Sequence, residues 1–336
     1  MKTIKLAPLS LFLFIPIAFA DSGIDEQNPE QRFIIDIPRS PLSTQESAEK
    51  YWTEERIRAA KPKRIVLSAE EASRMETEAR FKSSMLNNEE KEKTLVIESS
   101  PGGDGSPIPK GVKGVVEEAD VDQYPFSNAG ILYFTEANGV DNACTAEFVG
   151  SNRVLMTAAH CLVDDNGKWY KNIVFHPRSR GKNRIEILKT ACKGVPDGAV
   201  TQTGRDLRKD YGFITTYKKN PSWLGLRSGV PYTEWAAIGY PINYGNALYL
   251  QRVYGFKGTT FSGVSDGIVE MKDNPMENGS SGGAWIGKLN NSKKPRGNYV
   301  IGLNSFFFGD GSTFSPYFNK DVFDLLDKVK QACNIE

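Results

Sequence analysis

From Tyr124 to the end, the chain is cut into short apolar runs by turn residues, and this texture constrains the fold more than any other feature. The runs are AGILYF (129–134), AEFVG (146–150), RVLMT (153–157), NIVF (172–175), YGFIT (211–215), LYLQRVYGF (248–256), GIVEM (267–271) and NYVIGL (298–303). None is long enough for a helix with a 3.6-residue period, and Gly, Asn, Asp or Pro stand between them. Short strands at such spacing predict an all-β sandwich or a pair of barrels. One exception closes the chain. Val322, Leu325, Leu326 and Val329 recur at i, i+3, i+4 and i+7, which predicts a single amphipathic C-terminal helix.

The first third reads differently. Residues 1–20 combine Lys2 and Lys5, an apolar stretch from Leu11 to Phe19, and an Ala18-Phe19-Ala20 exit. That is the layout of a secretory signal peptide cut before Asp21. The stretch is shorter than the roughly 20 apolar residues a spanning helix needs. The expectation is an exported protein, secreted or periplasmic, with no membrane attachment after signal removal. Residues 21 to about 115 are rich in Glu, Lys, Arg and Ser and hold no cysteine. They predict a partly helical or disordered segment, with helices over 46–60 and 68–88, the second opened by the capping-box pattern Ser68-x-x-Glu71. The run SSPGGDGSPIPKG (99–111) reads as an exposed linker. The division expected is signal peptide 1–20, pro-segment and linker 21–115, and a single β domain 116–336.

Charge and cysteine content narrow the function classes. Lys plus Arg (42) almost cancels Asp plus Glu (41), so no global basic field draws the protein to nucleic acid. Four cysteines, Cys144, Cys161, Cys192 and Cys333, lack the close C-x-x-C spacing of a metal site. In an exported chain they read as two disulfides, and their spacing leaves three pairings open. With only His160 and His176 present, chemistry that needs a cluster of imidazoles is excluded.

Three segments carry the chemistry: Thr157-Ala158-Ala159-His160-Cys161 after an apolar run, Asp210 at the head of Tyr211-Gly212-Phe213-Ile214, and Gly279-Ser280-Ser281-Gly282-Gly283. A serine hydroxyl is a weak nucleophile unless a base lies within hydrogen-bond reach. A histidine titrates in the right range to accept that proton and return it to a leaving group. A carboxylate on the far ring nitrogen fixes the tautomer and stabilises the imidazolium. Gly279 can present its N–H, beside that of Ser281, to an oxygen where charge develops. Gly279-x-Ser281-x-Gly283 also matches the α/β-hydrolase nucleophile elbow, but there the histidine follows the serine, and no histidine follows Ser281. Asp206 competes with Asp210 for the acid role but precedes a polar stretch. Asp164-Asp165-Asn166-Gly167 lacks the full EF-hand ligand pattern and reads as a turn.

In the order His160, Asp210, Ser281, these segments resemble the signatures of the trypsin/chymotrypsin-like serine peptidase family, over roughly residues 120–336. The resemblance implies two six-stranded antiparallel β-barrels with a catalytic triad in the cleft between them. It also implies a Cys144–Cys161 disulfide closing the histidine loop, worth on the order of 3 kcal/mol. Gly302-Leu303-Asn304-Ser305-Phe306 is similar to the family's strand beside the substrate, with Asn304, Ser305 and Phe306 as substrate-binding residues and Ser305 supporting Asp210. Ser280 stands where trypsin-like activation uses an aspartate, and GSSGG with Gly239-Tyr240-Pro241 looks more like the bacterial glutamyl-endopeptidase branch. That branch's pocket histidine is absent, and Asn304 holds its place, so a preference for glutamate is not carried over. The resemblance thus implies a monomeric serine endopeptidase made as a precursor, acting on protein or peptide and contacting its own pro-segment, with no cofactor or metal. The alternative from another class is a catalytically silent homologue that uses the double barrel as a binding module.

Overall fold

The computed structural model describes residues 32–38, 48–63, 65–85, 93–181, 186–262, 266–308 and 311–335. The expected signal peptide lies outside them. Among the described residues, no helix is long and apolar enough to cross a membrane.

Six antiparallel strands form the first β body: Ala129–Thr135, Asp141–Phe148, Val154–Thr157, Lys171–Pro177, Leu188–Pro196 and Gly212–Thr216. Leu188–Pro196 pairs with both Lys171–Pro177 and Gly212–Thr216, so the sheet closes on itself as a barrel. Closure removes the sheet edges and buries an interior of Leu132, Phe134, Phe148, Leu155, Phe175 and Phe213. The second body uses Glu234–Gly239, Gln251–Ser262, Ile268–Lys272, Ala284–Gly287, Tyr299–Leu303 and Thr313–Pro316 around a core containing Trp235 stacked on Trp285. Its six strands lie in the order Thr313–Pro316, Ile268–Lys272, Gln251–Ser262, Glu234–Gly239, Ala284–Gly287 and Tyr299–Leu303, and the outer two meet where the Leu303 N–H donates to Ser315 Oγ at 2.9 Å.

The C-terminal helix, Lys320–Ala332, is capped by the Asn319 side chain and buries Val322, Leu325, Leu326 and Val329. A Cys192–Cys333 disulfide ties its end to Leu188–Pro196, and Cys144–Cys161 is the second bridge.

The described residues of the N-terminal third pair with both β bodies. Phe33–Asp36 adds to the first barrel beside Leu188–Pro196, and Val96–Ile97 adds to the second beside Gly225–Arg227. Ala69–Met85 is a helix whose Ser68 and Glu71 exchange hydrogen bonds as a capping box. Within the stretch 46–60 expected as one helix, residues 48–51 and Glu54–Ala59 are helical, and they are parted where Trp52 leaves the helical path to bury its ring and donate Nε1–H to Asn172 O at 2.6 Å. Residues 99–111 hold neither helix nor strand, but Ser99 and Ser100 are buried, and the Gly103 N–H is held by Ser292 O.

Candidate active site

Strand Val154–Thr157 ends in a single turn of 3-10 helix, Ala159–Cys161, which sets His160 in the wall between the two β bodies. The Cys144–Cys161 bridge staples that turn to the neighbouring strand. Asp210 follows the turn Leu207–Lys209 and faces the histidine twice. Its Oδ1 accepts the His160 backbone N–H at 2.8 Å, and its Oδ2 lies 2.8 Å from His160 Nδ1. Ser305 Oγ donates to the same Oδ2. Burial would raise this carboxyl, but the His160 charge and the hydrogen bonds from His160 and Ser305 outweigh it and hold it down at about 2. Asp210 is therefore a fixed anion that holds Nδ1 as the protonated nitrogen. Asp206 is spent elsewhere, accepting from the Arg208 N–H and guanidinium.

Ser281 sits in a tight turn that the first barrel grips. The Thr145 N–H donates to Ser281 O at 2.8 Å, and Thr145 Oγ1 donates to Gly279 O at 2.8 Å while accepting the Tyr240 N–H. Two glycines make the turn possible. Gly279 has φ +91°, and a Cβ there would lie 2.4 Å from Tyr240 O; Gly282 has φ +85°, and a Cβ would lie 2.2 Å from Thr157 Oγ1.

The cleft is not empty. Lys61–Pro62 runs parallel to Asn142-Ala143 of the first barrel, and Ile65–Val66 runs parallel to Phe306–Phe307 of the second. Between them, the Lys63 carbonyl oxygen accepts the Gly279 N–H at 3.0 Å and the Ser281 hydroxyl at 3.2 Å. His160 Nε2 is buried and makes no hydrogen bond.

The structure places Asn304 differently from Ser305. The Asn304 amide donates to Ile238 O and Ser280 O and accepts from Asn274 Nδ2 and Trp285 Nε1, so it braces the turn that carries Ser281. Phe306 is a core residue stacked on Phe314, with its backbone turned to Ile65. Together with Met276, Ser281, Ser305 and Thr313, they line a cavity of ≈ 10 Å³, room for about one water. The one group of possible metal ligands among the described residues, Cys144, His160 and Cys161, is consumed by the disulfide. Asp164 caps its own turn amides at 2.9 Å, the ordinary-turn reading. Sequence reasoning missed Lys63, whose contribution is a backbone carbonyl with no side-chain signature.

No family model matches this chain, and no curated protein matches it either. Solved structures do. The protease Anisep from Arthrobacter nicotinovorans superposes with a TM-score of 0.54 at 19% identity, over 64% of this chain and 99% of that one. A Glu endopeptidase solved in complex with MPD superposes with a TM-score of 0.50 at 13% identity, over 66% of this chain and 98% of that one. The fold is that of the trypsin-like serine proteases.

Proposed function

We propose that this chain is the precursor of an exported serine endopeptidase, kept inactive by its own residues 61–66. The observation that carries the reading is the Lys63 carbonyl, seated between the Gly279 N–H and the Ser281 hydroxyl beside a buried His160–Asp210 pair. A carbonyl in that position marks where a scissile carbonyl would sit. In the working enzyme, His160 Nε2 takes the Ser281 proton as Oγ attacks the carbonyl carbon. Asp210 stabilises the resulting imidazolium, and the N–H groups of Gly279 and Ser281 receive the oxyanion. The imidazolium then returns the proton to the leaving amine, and water, deprotonated by the same histidine, hydrolyses the acyl-serine.

Latency follows from two features. Ser281 gives its hydroxyl hydrogen to Lys63 O rather than to His160, so the nucleophile is not activated. Both strand edges that flank the cleft are already paired by residues of the same chain, at an effective concentration on the order of millimolar. Activity therefore requires removal of this segment, and the run 101–111 offers an accessible stretch for the cut. Export is supported by the character of residues 1–20 and by two disulfides.

The test is labelling with a fluorophosphonate probe of the full-length chain, the processed chain and Ser281→Ala, with N-terminal sequencing of each reactive band. Labelling of the processed form alone, absent in Ser281→Ala, is the expected result. No labelling of any form overturns the peptidase reading in favour of a binding module. Equal labelling of full-length and processed chains overturns the latency.

A further inference from the structure

Lys63 contributes more than its carbonyl. Its ammonium donates to Glu136 Oε1 at 2.5 Å and lies 5.7 Å from the centre of the Tyr170 ring. Both receiving groups are held in place. Glu136 opens a four-residue turn in which its N–H bonds Val140 O and its carbonyl accepts from the Gly139 N–H, while Asn138 Nδ2 steadies its other oxygen. Tyr170 is buried, stacked on Phe134 with ring centres 4.6 Å apart, and anchored by its N–H on Leu162 O. Other carboxylates nearby are occupied: Asp164 by its turn amides and Asp165 by Arg205. Glu136 thus offers a carboxylate beside an aromatic ring, the pairing that receives a desolvating cation.

The place of this site in the cleft gives it meaning. It lies within the reach of one lysine side chain from the carbonyl beside Ser281. Glu136, Tyr170 and His160 all belong to the first barrel, and His160 is the group that hands a proton to the departing amine. On the reading of the cleft as a peptidase site, we propose that Glu136 and Tyr170 form a subsite for a lysine or arginine side chain in the cleft wall of the first barrel, which Lys63, whose own carbonyl holds the scissile position, fills in the precursor. Removal of the segment exposes that carboxylate to substrate. The ligand class is a basic side chain of an extended peptide.

The experiment uses the processed protein, quantified by fluorophosphonate labelling, and peptides that differ only in the residues on either side of the cut. Wild type is expected to show a kcat/KM about tenfold higher for Lys or Arg than for Ala at one of those positions. Glu136→Gln should collapse that ratio toward one, and Glu136→Lys should invert it in favour of Asp or Glu, which a merely structural role would not produce. Labelled enzyme with a flat preference, or a ratio unmoved by Glu136→Gln, overturns the subsite and leaves the peptidase reading intact. Absence of labelling overturns both.

Discussion

Ser305→Ala tests the electrostatic reasoning at the site, because it deletes one oxygen and no packing volume of consequence. The wild-type Asp210 carboxyl is held at about 2 against an ordinary 3.8, with burial opposing and His160 and Ser305 favouring the anion. A folded-state pKa below the unfolded one contributes stability above the unfolded value, and that stability is lost as pH falls through the folded one. Asp210 therefore contributes about 2 kcal/mol above pH 4, lost between about pH 4 and pH 2. A hydrogen bond to a buried carboxylate is worth about 1.5–3 kcal/mol. Removing Ser305 Oγ, which lowers the Asp210 pKa less than His160 does, should move it part of the way back toward 3.8 and reduce stability at pH 7 by about 1–2 kcal/mol. Because both proteins converge when Asp210 is protonated, the two stability curves should meet near pH 2. The assay is denaturant unfolding of full-length chain and variant from pH 2 to 7. A constant offset over the whole range would refute the reasoning, since it would place the loss in packing rather than in the carboxylate's charge.

Three further outcomes are expected. Gly279→Ala forces a side chain into φ +91° and within 2.4 Å of Tyr240 O, so the amide must turn away and turnover by the processed form should fall about 10²–10³-fold, read as kcat on a peptide. Glu147, fully buried on strand Asp141–Phe148, has its carboxyl pushed well above the usual range by burial. Its stabilising neutral form is retained at low pH and its cost grows as pH rises above 4.5, so Glu147→Gln should stabilise the fold at pH 7 by about 1 kcal/mol or more, with the gain vanishing below pH 4 in the same unfolding series. Replacing Cys192 and Cys333 together by Ala frees a loop spanning 141 positions, against 17 for Cys144 and Cys161, and should cost about 5 kcal/mol against about 3, measured as a difference in denaturant midpoints at equal m-value.

Local chemistry was legible residue by residue. Ser68 and Glu71 lie three positions apart, and the capping box they announce forms within that span. Val322, Leu325, Leu326 and Val329 mark one face of the terminal helix, because helical geometry puts them there whatever they pack against. The alternation of apolar runs and turns told of a β protein, because burying strands on one face and turning the chain are both short-range demands. His160, Asp210 and Ser281 could be singled out by residue type and order, while the pairing of His160 with Asp210 across 50 positions was left to the fold.

Other features depended on partners that no sequence window contains. Asn304 stands beside Ser305 in the chain, but the groups its side chain bonds, on Ile238, Asn274, Ser280 and Trp285, are not neighbours in sequence. Phe306 lines the small cavity beside Ser281, and the ring stacked on it, Phe314, comes from another strand. Glu136 is an unremarkable turn glutamate until Lys63 arrives from 73 positions away. Above all, the group seated in the cleft is a peptide carbonyl, and every residue has one. Side-chain type determines strands, caps and candidate nucleophiles; which carbonyl reaches Ser281 is settled by two barrels and a crossing segment meeting in three dimensions.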